Sequence, residues 1–96
     1  MNTKHYILTK DKKIKQVSLM TWAKWFEGED RIVKREVVGK FTISTVFLGI
    51  DHNFSDKGKK LLFETMVFGD EEQYQERYST YQEALEGHEK ISKKYI

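Results

Sequence analysis

The 96-residue chain contains neither cysteine nor proline. Without cysteine it cannot form disulfides, thiolate zinc sites or a cysteine nucleophile, and without proline it cannot use a cis-proline turn. No apolar run approaches the roughly 20 residues that a membrane-spanning helix requires. The first ten residues, MNTKHYILTK, also lack the apolar segment of a signal peptide, so we expect a cytoplasmic protein that does not enter a membrane.

Familiar catalytic and phosphate-binding motifs are missing as well. The sequence has no G-x-G-x-x-G or G-x-x-x-x-G-K loop, no G-x-S-x-G elbow and no H-E-x-x-H pair. These absences weigh against the common nucleotide-binding enzymes, hydrolases and zinc proteases. We therefore expect no enzymatic activity, no metal and no cofactor.

The composition is that of one small folded domain. Apolar residues make up 39% and charged residues 33% of the chain, which predicts a single domain over residues 1–96. The first forty residues carry ten Lys/Arg and five Asp/Glu, whereas the remaining residues carry seven and ten. The pI of the whole chain is about 8.8. This excess of positive charge is smaller than is usual for a nucleic-acid-binding domain.

The pattern of apolar residues predicts an α+β fold. Ser18 as N-cap and Gly28 as stop delimit a first helix, and Thr80 with Glu83 forms a capping box before a second helix. Alternating or β-branched segments predict strands at 5–9, 14–18, 31–38, 41–50, 61–68 and 74–79. We expect an antiparallel sheet of about five or six strands and two helices, with the C-terminal helix packed on the sheet.

The two strands 41–50 and 61–68 are apolar on both faces. Such strands are covered on both faces, or one of their faces meets a partner. In the C-terminal helix, the stripe Tyr81, Leu85, His88 and Ile91 is expected to pack on the sheet. Gly87 within this helix indicates close packing at that point.

Several polar residues are candidates for a site. Asp51 and His52 follow a central strand, where they could form a base or a metal ligand, or simply an Asx-type turn. Glu64 lies in the middle of an apolar strand and is either solvent-facing or buried and paired. His88 lies on the apolar stripe of the last helix, where a core histidine is the more common finding. These four residues could together hold a metal, but none of them share a familiar metal-ligand spacing.

Aromatic and basic residues offer two further surfaces. Trp25 lies off the apolar stripe of the first helix, where it either anchors an interface or closes the edge of the core. A nucleic-acid-binding surface is an alternative, and it would use the basic residues Lys10, Lys12, Lys13, Arg31, Lys34 and Arg35.

Three sequence blocks within residues 43–91, namely ISTVFLGIDHNF, LLFETMVFG and ERYSTYQEALEGHEKI, resemble a family of small proteins encoded by phages and prophages. The resemblance implies a setting rather than a chemistry: an accessory protein acting in a bacterial cytoplasm. The polar residues shared with these blocks include Thr45, Asp51, His52, Glu64, Arg77, Tyr78 and His88. They would form either a buried hydrogen-bond network or a site for a ligand or partner.

We therefore expect a non-catalytic binding module that inhibits or modulates a host defence or regulatory system. Its partner would be a host bacterial protein or a small ligand, with homodimerisation as a further possibility. The alternatives are a nucleic-acid-binding protein and a small metal-dependent hydrolase. The expected binding residues are Trp25, Asp51, His52, Arg77, Tyr78 and His88. Thr45 and Glu64 are expected in a structural polar network beneath the last helix.

Overall fold

The computed structural model describes residues 4–53, 57–69 and 74–95, which form six strands and two helices. In chain order the elements are β1 His5–Leu8, β2 Ile14–Val17, α1 Leu19–Gly28, β3 Ile32–Val38, β4 Phe41–Phe47, β5 Phe63–Phe68, β6 Tyr74–Tyr78 and α2 Tyr81–Tyr95. The predicted α+β class, with the C-terminal helix on the sheet, is confirmed. Phe54 of the first sequence block lies outside the described residues.

The six strands are divided between two antiparallel sheets. β1 and β2 form a hairpin, and the other four strands form a sheet in the order β3-β4-β5-β6. β4 ends at Phe47, three residues before the predicted end, and Gly49 then turns the chain at a φ of +80°. A single bridge between His5 and Ile50 connects the hairpin to the end of β4. The hairpin therefore extends one end of the larger sheet instead of joining its edge.

Both predicted helix starts are confirmed. The Ser18 hydroxyl accepts a hydrogen bond from the backbone N–H of Thr21 and caps α1. At the start of α2, the Glu83 N–H donates to the Thr80 hydroxyl, and the Thr80 N–H donates to the Glu83 carboxylate, each at 3.0 Å. These reciprocal bonds satisfy backbone donors that the helix itself leaves unpaired.

The buried side of α2 differs in part from the predicted stripe. His88 and Ile91 are buried as expected, together with Ala84 and Ser92. Leu85 and Tyr81 are only half-buried. The helix is rotated because its small residues approach the sheet most closely, and Gly87 lies directly against the ring of Tyr78.

Strand register divides the four-stranded sheet into two unlike faces. The pairs Ile43–Val67, Thr45–Thr65 and Phe47–Phe63 all point toward α2 and are fully or almost fully buried. The hairpin and α1 pack on the same side, because Tyr6 and Trp25 contact the cluster around Phe47 and Phe63. Within the described ranges, no helix or strand packs on the opposite face.

We predict that Gly87→Ala destabilises the protein by about 1–3 kcal/mol, measured by chemical denaturation. A Cβ at Gly87 would lie 2.3 Å from three atoms of Tyr78, so either the ring or the helix must shift. Gly28→Ala is the matched control, because a Cβ there meets nothing within 4 Å. Equal stability of the two variants would contradict close packing of α2 on Tyr78.

Candidate functional site

A chain of hydrogen bonds runs through the interior between the sheet and α2. The Thr45 and Thr65 hydroxyls lie 2.5 Å apart, and the Thr45 hydroxyl lies 2.7 Å from Nδ1 of His88. On the other side of the ring, His88 Nε2 lies 2.8 Å from Oε1 of Glu36. The Nε2–H of His88 donates to the Glu36 carboxylate, and Nδ1 shares a hydrogen bond with the Thr45 hydroxyl. The chain thereby connects three strands to the helix.

The Glu36 carboxylate, at the end of this series of hydrogen bonds, is held in its charged form. Hydrogen bonds from Ser92 and His88, in that order of size, and the nearby charge of Lys34 lower the pKa of Glu36 from its ordinary value of 4.5. The order of carboxylate, imidazole and hydroxyl is that of a nucleophilic triad. Thr45 and His88, however, have no exposed surface beneath α2, so a substrate cannot reach the hydroxyl. The arrangement supports packing of the helix on the sheet.

Glu64 is not part of this chain of hydrogen bonds beneath α2, although we expected it there from the sequence. It is neighbour to Thr65 on β5, and alternate residues of a strand point to opposite faces, so Glu64 lies on the side away from α2. Its carboxylate accepts from Arg77 Nε at 2.8 Å and from Gln75 Nε2 at 2.5 Å. Only 7% of Glu64 is exposed. The expected contact with Arg77 is present, whereas a contact with His88 is impossible through the sheet.

Asp51 and His52 hold the loop that follows β4. Asp51 Oδ1 accepts from the backbone N–H groups of Asn53 and Leu61, both at 2.8 Å. His52 Nδ1 donates to the carbonyl oxygen of Ile50 at 2.8 Å. These contacts are those of an Asx-type turn joined to the opposite side of the loop.

The four residues that might have held a metal are separated by the fold. Asp51 and His52 lie in the loop, Glu64 lies on the uncovered face and His88 lies beneath α2. Among the residues that the structure describes, no group of three His, Asp or Glu side chains is placed to hold a metal ion.

The uncovered face of the four-stranded sheet, called here the open sheet face, consists of three rows of side chains across the strands. The rows are Ile32, Val46, Glu64 and Arg77; then Arg35, Ser44, Met66 and Gln75; then Val37, Thr42 and Phe68. A bulge between Ile32 and Lys34 brings Ile32 into the first row. Val37 is 71% exposed, Phe68 50% and Ile32 44%. The face therefore combines exposed apolar groups at its margins with one internally paired carboxylate.

On the other side of the molecule, a groove of about 340 Å³ lies beside Trp25, between β1, the end of α1 and the start of β3. Trp25 packs edge-on against Phe47, with ring centroids 5.6 Å apart and ring planes at 89°. The other lining residues are Ile7, Leu8, Thr9, Lys10, Lys12, Glu29, Asp30 and Arg31. Trp25 is thus a wall of the groove as well as an edge of the core.

Five of the six basic residues named for a nucleic-acid-binding surface are divided among three places in the structure. Lys10, Lys12 and Arg31 line the groove. Lys34 forms an ion pair with Glu89 of α2, and Arg35 lies on the open sheet face. This separation is unlike the continuous basic stripe that follows a nucleic-acid backbone.

Two other predicted site residues lie in different surroundings. Tyr78 is buried, with its ring against Gly87, and burial raises the pKa of its hydroxyl. Arg77 is exposed on the open sheet face.

Sequence reasoning missed Glu36, Thr65, Val37 and Phe68. Alternate residues of a strand point to opposite faces of the sheet. Each of these residues could therefore have been assigned to the same face as Thr45 or to the opposite one, once the pairing of β3 and β5 with β4 was known.

The chain matches none of the family models, curated proteins or solved structures with which it was compared. Neither α1 nor α2, the helices of the described residues, has the length and apolar character that crossing a membrane would require.

We predict that the free energy of unfolding falls as the pH drops below about 4.5, in part because of Glu36. Its pKa is lowered in the folded state, so the unfolded chain takes up a proton first. The stabilisation is complete above the unfolded pKa and is lost as the pH falls through the folded pKa. In denaturation series from about pH 7 to about pH 3, Glu36→Gln should show a shallower acid dependence than the parent.

Glu27→Gln, an exposed position on α1, is the control for that series and should keep the parental slope. An unchanged acid slope in Glu36→Gln would show that the carboxylate does not contribute to acid unfolding.

We predict that Glu64→Gln lowers stability by about 1 kcal/mol at neutral pH, because hydrogen bonds to charged groups contribute more than neutral ones. The exposed position of Arg77 keeps the effect small. A double-mutant cycle with Arg77→Gln in thermal or urea unfolding should give a coupling energy of similar size. Additive effects of the two changes would argue against the pair.

Proposed function

We propose that this protein is a non-catalytic binding module that docks on another protein through the open sheet face. The observation that supports this most directly is the exposed apolar surface of Val37 and Phe68 on a face that no described helix or strand covers. Strands apolar on both faces lie inside a fold or meet a partner. Here α2 covers one face, and a partner would bury the other.

The outward side chains of the central strands support the same proposal. One third of the chain is charged, yet Thr42, Ser44, Val46, Met66 and Phe68 are all uncharged. An antiparallel sheet that faces water normally alternates apolar residues inward with polar residues outward. Glu64, the charged residue among these outward positions, is neutralised by Arg77. Depletion of charge in the centre of a surface patch is typical of protein interfaces.

A different protein fits this face better than a second copy does. A two-fold axis in the plane of the face and parallel to the strands would place Ile32 and Val46 against Arg77 and Glu64 of the other copy. An axis across the strands would place Arg35 against Arg35. Both arrangements oppose apolar to charged groups or like charges, which disfavours an isologous interface. The proposed partner instead has an apolar patch with an acidic residue opposite Arg35.

The resemblance to small phage and prophage proteins suggests who this partner is. We propose an accessory protein of a phage or prophage that binds a host bacterial protein in the cytoplasm and thereby inhibits or modulates a defence or regulatory system. The binding mode would be obstruction of a functional surface, which requires no catalytic group. The burial of Thr45 and His88 and the separation of Asp51 from Glu64 support a non-catalytic role.

The test is affinity purification from a bacterial host lysate, followed by calorimetric titration of the purified partner with parent and variants. We predict that Val37→Gln combined with Phe68→Gln weakens binding about tenfold or more, because it removes the apolar groups from the margin of the face. The matched control is Leu19→Gln combined with Met20→Gln, which changes two equally exposed apolar residues on α1. This control should bind like the parent.

Two outcomes would contradict the proposal. The first is a partner that binds the Val37→Gln/Phe68→Gln variant as tightly as the parent. The second is a dimer of this chain in light scattering that dissociates in that same variant, since the open sheet face would then be occupied by a second copy.

A further inference from the structure

The groove beside Trp25 has the construction of a small-molecule site, and it lies apart from the open sheet face. Its floor and walls are apolar, formed by Ile7, Leu8, Trp25 and Phe47. Its volume of about 340 Å³ falls at the lower end of the range for ligand sites. Ligand sites typically combine such apolar walls with a few placed polar groups. The polar groups here lie at the rim, on the turn after β1 and at the start of β3.

The backbone of the turn that carries two of the basic residues at this rim is held in place. In the turn, the Lys12 N–H donates to the Thr9 carbonyl at 2.9 Å, and the Lys13 N–H donates to the Thr9 hydroxyl at 3.0 Å. The turn that carries Lys10 and Lys12 is therefore braced by Thr9. Across the groove, the Arg31 guanidinium lies 3.8 Å from the centroid of the Phe26 ring. A cation placed on an aromatic ring is oriented in advance, so the Arg31 guanidinium is fixed beside the two acidic residues that precede it in the sequence.

The groove also has an acidic side, formed by Glu29 and Asp30. The Asp30 carboxylate accepts a hydrogen bond from the backbone N–H of Ile32 at 3.0 Å. A simple anion would meet repulsion from Glu29. A ligand with an anionic group at one end and N–H donors at the other suits both sides of the rim, with a planar apolar body between them.

We infer that this groove binds a nucleoside monophosphate. The base stacks on Trp25 with its amino group toward Glu29, and the phosphate is bound by Lys10 and Lys12 of the turn after β1. Aromatic side chains stack on any base, and a cluster of Lys and Arg binds phosphate. The site takes a mononucleotide rather than a nucleic-acid strand because Lys34 and Arg35 lie on other surfaces and do not extend the basic rim. The inference does not depend on the proposed protein partner.

The test is isothermal titration calorimetry of the protein with AMP and with its fragments adenosine, ribose 5-phosphate and inorganic phosphate. AMP should bind with a dissociation constant below about 0.1 mM and about tenfold or more tighter than each fragment. Adding salt should weaken AMP binding, because the phosphate contacts are electrostatic. Tryptophan fluorescence should change in a Trp22→Phe variant, in which Trp25 is the remaining tryptophan.

Three variants test the assigned roles. Trp25→Leu keeps an apolar wall but removes the stacking surface, and should weaken AMP binding about tenfold to a hundredfold. Lys10→Gln combined with Lys12→Gln changes two exposed side chains, and should reduce the affinity for AMP toward that for adenosine. Lys90→Gln combined with Lys93→Gln, two exposed positions on α2, removes the same charge as the double-lysine variant and should bind AMP like the parent.

Several results would overturn the assignment. One is an absence of AMP binding at millimolar concentration. Another is equal affinity for AMP and inorganic phosphate, which would indicate surface anion binding only. Unchanged AMP affinity in both the Trp25 and the double-lysine variant would place binding elsewhere. Tighter binding of a single-stranded DNA 15-mer than of AMP, retained in the double-lysine variant, would assign the protein to nucleic acid instead.

Discussion

The pairing of β4 with β5 is the constraint on which the rest of this structure depends. Placing Thr45 opposite Thr65 sends one set of side chains toward α2 and the alternate set to the open sheet face. A shift by one residue would expose the phenylalanine pair Phe47–Phe63 and bury Glu64 among apolar groups. The register therefore decides at once where the core lies, how α2 is seated and which surface is left for a partner.

The polar chain beneath α2 shows how a small core can specify one arrangement. Apolar packing alone tolerates small rotations of a helix on a sheet, whereas the Thr45–His88–Glu36 bonds are satisfied in one orientation only. Losing Thr45 or Glu36 leaves one nitrogen of the buried His88 ring unpaired, which costs more than the bond contributes. The absence of a side chain at Gly87 lets α2 come close enough for these bonds to form.

The two proposed surfaces face in different directions, and their construction differs accordingly. The open sheet face is broad, mostly uncharged and suited to another protein. The groove beside Trp25 has apolar walls and carries both basic and acidic residues at its rim, which suits the proposed nucleotide. One domain of 96 residues can thus support a protein contact on one side and a ligand on the other. The sheet between them, anchored by the Phe47–Phe63 pair, would connect the two sites.

By itself, the sequence determined the local elements of this protein. The Ser18 cap, the Thr80–Glu83 box and the alternation of apolar residues depend on atoms only a few positions apart, so they could be predicted. Tertiary structure alone decided that Glu64 lies outside and that Glu36 meets His88, 52 residues away. It also assembled the groove beside Trp25 from three separate segments. Such contacts depend on strand register and on the rotation of α2, which are set by packing over the whole sheet and not by any local pattern.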